Sequence, residues 1–150
     1  MFVENPLNVS AWTFPILEIF HITGFAVAIG TVALVDFRLL GFGIRLQTPG
    51  QLTRDLSLAT LVSLMTAVVS GLLLYSTDPD KFYLNISFLF KMACLLLAIL
   101  FHYTIHRKVA LSDSAPGAGK VVALVSIALW VSVVFGGIFI EFVAPGLNFS

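Results

Sequence analysis

Glu18-Ile-Phe-His21-Ile-Thr-Gly-Phe-Ala-Val-Ala-Ile-Gly-Thr-Val-Ala-Leu-Val-Asp36-Phe-Arg38-Leu-Leu-Gly41 is apolar enough to span a bilayer, yet it carries four ionisable side chains. An Asp, Lys or Arg at membrane depth costs at least about 2.5–3.5 kcal/mol, so such groups persist where they pair, face a bundle interior or do chemistry. Glu18 and Asp36 stand eighteen residues apart, about five turns at ~3.6 residues per turn, so they share one meridian. His21 lies about 60° away on the same wheel. One face of this helix is polar at both ends and small or apolar between.

The rest of the chain sets the medium. Its 150 residues are 59% apolar and 11% charged, with formal net charge zero and mean hydropathy +1.02. Soluble domains carry about 25% charged residues, so this is an integral membrane protein of the all-α class. The single Cys94 excludes an intrachain disulfide and any Cys-Cys metal motif, and reads as a small apolar filler. With no basic patch there is no nucleic-acid partner. The first residues lack a basic n-region, so the first apolar segment is expected to stay as an anchor.

Four apolar segments can each cross ~30 Å of hydrocarbon: Ala11 to Phe42, Leu56 to Tyr75, Ile86 to His106 and Val121 to Phe142. Short connections predict an up-down four-helix bundle in one domain, residues 1–150. Arg38, Arg45 and Arg54 flank the first connection, and Arg107, Lys108 and Lys120 the third. The opposite side has only Lys81 and Lys91, which puts both termini outside, in the periplasm of a bacterial inner membrane. Small-residue stripes at Gly24 and Ala28 and at Ser63, Ala67 and Gly71 predict close helix contacts, and suit a homo-oligomer. Gly136-Gly137 packs similarly or marks a kink. Three glycosylation triplets begin at Asn8, Asn85 and Asn148; they matter only in a eukaryotic source.

Lys91 and His102 are eleven residues apart, about three turns, and His106 follows on the same face. By depth, Glu18, His21 and Lys91 fall in an outer layer, and Asp36, Arg38, His102 and His106 in an inner one. Glu18 is expected to pair with Lys91, and Asp36 with Arg38 or a histidine of the third helix. Arg38 and His106 can alternatively snorkel to the interface, and Lys91 to the outer headgroups.

The expected chemistry is haem b binding, for electron transfer with a membrane redox partner or for small-ligand sensing, without enzymatic turnover. His21 and His102 are the candidate iron ligands, with His106 a further cofactor-binding residue and Arg38 and Arg45 the candidate propionate partners. Fourteen phenylalanines can wall a macrocycle. His21 and His102 differ in depth by about 15–18 Å, so they do not clamp one iron. Met65 or Met92 then becomes a second ligand, or the site is five-coordinate or shared between subunits. Copper on the same histidines with Met65, Met92 and Cys94 is an alternative. From other classes come a transporter or proton-pathway subunit using Glu18, His21, Lys91, Asp36 and His102, and a cofactor-free assembly protein.

Two segments resemble a known family. His21-Ile-Thr-Gly24, Gly30 and Asp36-Phe-Arg38-Leu-Leu-Gly41 look like the first-helix signature of small bacterial inner-membrane proteins grouped as a domain of unknown function. Phe82-Tyr-Leu-Asn85 through Phe90-Lys91-Met92 to Phe101-His102 is similar to that family's third helix. The resemblance implies that His21, Asp36, Arg38, Lys91 and His102 are family-type positions; His106 is not in the pattern. A looser likeness, in architecture alone, is to cytochrome-b-like and copper-resistance membrane proteins.

Overall fold

A computed structural model of the protein describes residues 5–8, 10–43, 46–112 and 116–143, and every regular element among them is helical. Four helices are long and apolar enough to cross a bilayer: the first, Thr13–Leu40; the second, Pro49–Thr77; the third, Ile86–Leu111; and the fourth, Pro116–Phe139. A short helix, Pro79–Tyr83, leads into the third, and a 3-10 turn, Pro6–Asn8, precedes the first.

Helix ends follow capping chemistry rather than the limits of the apolar runs. The second helix starts at Pro49 and not at Leu56, because Thr48 and Gln51 form a reciprocal cap. The Gln51 amide donates to the Thr48 hydroxyl at 3.2 Å, and the Thr48 amide donates to the Gln51 side chain at 2.9 Å. The first helix closes on Gly41, whose φ of +94° is the left-handed conformation that lets its N–H reach back to the Arg38 carbonyl. The third helix continues past His106 to Leu111, and the fourth begins at Pro116 instead of Val121.

The first helix is the hub. It packs on the second and the fourth, and the third packs on the fourth. The second and third helices meet at the Arg107–Leu111 end, where Gly50 lies against the Ala110 carbonyl. Toward the other end, Tyr75, Phe82 and Phe88 stand together, with Tyr75 and Phe88 stacked at 5.6 Å. The core is made of Ala28, Val32, Leu64, Leu95, Ala98, Trp130 and Val133. Large apolar side chains such as Leu72, Leu96 and Phe135 face outward, as suits helices long and apolar enough to cross a bilayer.

The small-residue stripes read in the sequence set the tightest contact. A Cβ on Gly24 would fall 2.8 Å from the Ala67 nitrogen and 2.9 Å from the Ser63 carbonyl oxygen, both backbone atoms that cannot swing away. Gly24→Ala is therefore expected to force the first two helices apart. Its cost should lie at the upper end of the ~1–3 kcal/mol typical of overpacking. Thermal unfolding in detergent measures it, and a midpoint equal to wild type would refute the close contact.

Asn85 is 1% exposed and joins two helix ends. Its side-chain oxygen accepts from the Ser87 and Phe88 amides, and its NH2 donates to the carbonyls of Ile140 and Val143. The Asn85-Ile-Ser87 triplet is thus a structural cap and not an open acceptor. Asn8 is engaged with the Thr77 carbonyl. Asn148 lies outside the described residues.

Candidate functional site

The polar groups of the bundle interior gather at two levels. At the inner level the third helix loosens into a π-turn over His102–His106, in which the Arg107 N–H reaches back five residues to the His102 carbonyl. A π-turn holds more residues than an α-turn and often marks a functional site. Here it carries two imidazoles into the bundle. His106 is 0% exposed, and its Nε2 lies 2.7 Å from Oδ1 of Asp36, itself 1% exposed. Ser126 of the fourth helix donates its hydroxyl to the other carboxylate oxygen at 2.9 Å. Three helices therefore converge on one carboxylate.

The donor count fixes what this centre can hold. Ser126 donates through its hydroxyl, and the carboxylate oxygen accepts. Between His106 Nε2 and Asp36 Oδ1 sits one proton. The Nδ1 of His106 is buried with no hydrogen-bond partner, and so is that of His102. The two rings stack at 5.1 Å with 29° between their planes. An imidazole bonded to a carboxylate on one nitrogen and free on the other can take a second proton and return it.

Beside His102 the first and second helices add hydroxyls. The Thr60 and Thr31 hydroxyls lie 2.8 Å apart, with Thr31 donating to the Ala28 carbonyl and Thr60 placed to donate to Thr31 or to the Leu56 carbonyl. These line a chamber of about 10 Å³ together with Thr53, Ser57, His102 and Arg107.

At the outer level His21 and Lys91 are partners. The Nδ1 of His21 lies 2.7 Å from the Ala67 carbonyl. A carbonyl only accepts, so Nδ1 carries the hydrogen. Nε2 then presents its lone pair to the Lys91 ammonium at 3.3 Å. The same ammonium sits 5.2 Å from the centre of the Phe25 ring. Glycines make the room: a Cβ on Gly71 would meet the His21 ring at 2.7 Å, and one on Gly136 would meet the Lys91 stem at 3.0 Å.

Several sequence expectations need correction. Glu18 does not take Lys91; it is exposed on the first helix, and Lys91 reaches His21 instead. The buried stripe of that helix passes through Gly24, Ala28, Thr31 and Val35 and includes Asp36, and Glu18 falls outside it. His106 does not snorkel, and Asp36 meets it rather than Arg38. Arg38 closes the turn after the first helix, its Nε donating to the Gln47 carbonyl at 2.6 Å. Arg45 lies outside the described residues. Met65 and Met92 are exposed, at 55% and 42%, and neither is in the buried core. Among the described residues no three His, Cys, Asp or Glu side chains are grouped to hold a metal ion. His21 and His102 sit in different levels, with different partners.

Ser126, the Thr31–Thr60 pair and the π-turn are the parts that sequence reading missed. Ser126 had one signal, a hydroxyl among the apolar residues of the fourth helix. The π-turn had none.

No curated protein and no solved structure gives a significant match to the chain. A family model matches residues 13–143, which takes in both polar levels and all four helices. The chain belongs to the family of unknown function DUF6644.

Proposed function

We propose that this protein is a proton-pathway subunit of the bacterial inner membrane, with the Asp36–His106–Ser126 cluster as its proton-holding centre. The observation that carries the reading is the complete burial of a His–Asp pair within helices of membrane-spanning length, with the second imidazole nitrogen left unpartnered. An ionisable group at that depth is expensive, and its retention points to ion or proton movement. The excess of Arg and Lys around the first and third connections supports cytoplasmic loops and periplasmic termini. Four helices are few for a carrier on their own, so assembly into a homo-oligomer accompanies this reading. The test is reconstitution in liposomes with an internal pH-sensitive dye and a potassium diffusion potential. Wild type should acidify or alkalinise the lumen with the potential, and Asp36→Asn should not. Equal traces for wild type, Asp36→Asn and empty liposomes would end the proposal.

Haem b binding is the second reading, favoured by one observation. The Nδ1 bond of His21 to a main-chain carbonyl is the outer contact that orients an axial imidazole. Among the described residues the histidines have little open space beside them. His21 Nε2 holds Lys91, the chamber at His102 measures about 10 Å³, and the larger cavity of about 290 Å³ is lined by Asp36, Phe37 and Trp130 but no histidine. An absorption spectrum of protein purified from its native membrane decides it. A Soret band would establish the haem, and its lack at full haem supply would remove this reading.

A further inference from the structure

We propose that the chamber enclosed by the first, second and third helices is a water-holding port, through which His102 meets the aqueous phase on the Arg107 side. Its place in proton transfer rests on the proton-pathway reading; its existence does not.

The chamber's lining selects its guest. Each of the four Ser and Thr hydroxyls has one hydrogen, and all four are committed: Thr31 to the Ala28 carbonyl, Thr53 to Pro49, Ser57 to Arg54, and Thr60 to Leu56 or Thr31, while Tyr103 adds a phenol that both donates and accepts. What those four can offer a guest is lone pairs. Arg107 offers only N–H donors. His102 is 8% exposed, and its Nδ1 is buried without a hydrogen-bond partner. A bare anion would face oxygen lone pairs, and a metal cation would face the guanidinium. Water both donates and accepts, and satisfies every group. The volume of about 10 Å³ matches one water, which needs about 10–15 Å³ of this kind and two to four polar partners.

The chamber lies between two contacts of these helices. The second and third helices touch near Gly50 and Ala110, close to the chamber, and Tyr75 and Phe88 stack between them toward the far end. Arg107 directly follows the π-turn, so the loosened turn brings the guanidinium and His102 to one chamber. The charged and titratable groups around His102 are Tyr103, His106 and Arg107 on its own helix, and Asp36 of the first helix bonds to His106. The second helix presents only Thr53, Leu56, Ser57 and Thr60 to the chamber, and the fourth brings Ser126 to Asp36. His102 stands between the port and the buried pair, stacked on His106.

The test uses the full chain with Cys94→Ser, reconstituted with known sidedness, carrying either Ser57→Cys or Leu58→Cys. Leu58 is 70% exposed on the outer surface of the same helix and serves as the lipid-facing control. A membrane-impermeant methanethiosulfonate is added to one side at a time. Because the thiolate is the reactive form and apolar surroundings suppress it, Ser57→Cys should react at least about tenfold faster than Leu58→Cys, and only from the Arg107 side. Equal rates, or reaction from the opposite side alone, would overturn the port. Thr53→Cys, one turn away, gives the same readout should Ser57→Cys fold poorly. Ser57→Leu, which fills the chamber, then reads its role. Reduced proton flux is expected, whereas full flux beside a reactive Ser57→Cys would leave the port and refute its part in transfer. Should Asp36→Asn keep full flux, the proton reading fails while the thiol rates still judge the port.

Discussion

Asp36→Ala is expected to destabilise the fold by about 2–6 kcal/mol, because each buried polar group left without its partner costs about 1–3 kcal/mol. It strips the acceptor from His106 and from Ser126 together, leaving two polar groups unpaired inside the bundle. Asp36→Asn separates fold from function. Its carbonyl oxygen can accept from Ser126, and its NH2 can donate to His106 if the ring moves its hydrogen to Nδ1, so most of the stability should remain. An amide cannot take up and return a proton at neutral pH. Proton flux should therefore fall at least about 100-fold, the order contributed by a positioned acid–base group. Unfolding in detergent and dye-monitored flux are the two measurements. An alanine variant within about 1 kcal/mol of wild type would show that the pair contributes little to the fold. Undiminished flux in the asparagine variant would show that it carries no protons. His106→Phe in the Asp36→Ala background should cost less than the sum of the single changes, since the orphaned imidazole is gone.

How far these residues could be read from sequence depends on which physical rule governs each. Helix number and class were legible because a membrane span requires an unbroken apolar run, and the four runs are unmistakable. Helix ends were less so. Thr48 and Gln51 cap the second helix well before its apolar run begins, and hydropathy is blind to capping. The two polar levels were legible by rise per residue alone, and His21, Lys91, Asp36, His102 and His106 all turn inward. The partners were not legible. A helical wheel gave Glu18 and Asp36 one meridian, but the buried stripe of the first helix steps by four and three residues from Gly24 to Asp36. Carried backward it reaches His21, while Glu18 lies in the helix's first turns, where a carboxylate stays outside the packed interface. The π-turn at His102 breaks the wheel altogether, because a wheel assumes one twist throughout. Gly71 and Gly136 read as packing glycines; what they accommodate is the His21 ring and the Lys91 stem. A glycine's neighbour is a property of the fold, and no spacing within its own helix reveals it.

At the outer level the two partners should respond unequally to substitution. His21→Phe leaves the Lys91 ammonium inside the bundle with only the Phe25 ring beside it, and should cost about 2.5–3.5 kcal/mol, the scale for a lysine at membrane depth. Lys91→Met removes the charge along with its cost. It leaves only the Nε2 lone pair of His21 unsatisfied, for about 1–2 kcal/mol. The double variant should then be more stable than His21→Phe alone, because the second change removes the group that the first one stranded. Such a reversal of sign is stronger than ordinary coupling, which averages about 0.6 kcal/mol for hydrogen bonds between membrane helices. Glu18→Gln should change none of these values, since Glu18 faces outward. Four midpoints in the same detergent, with Glu18→Gln as the fifth, complete the cycle. Strictly additive losses would mean that Lys91 finds its stabilisation elsewhere, and a large loss in Glu18→Gln would return the carboxylate to Lys91. The same cycle bears on function. His21 is locked into one tautomer by Ala67 and Lys91, so it has no free nitrogen with which to relay a proton. Lys91→Met frees Nε2, and a proton pathway limited at the outer level should then run faster than wild type, whereas one limited at Asp36 should run at the same rate.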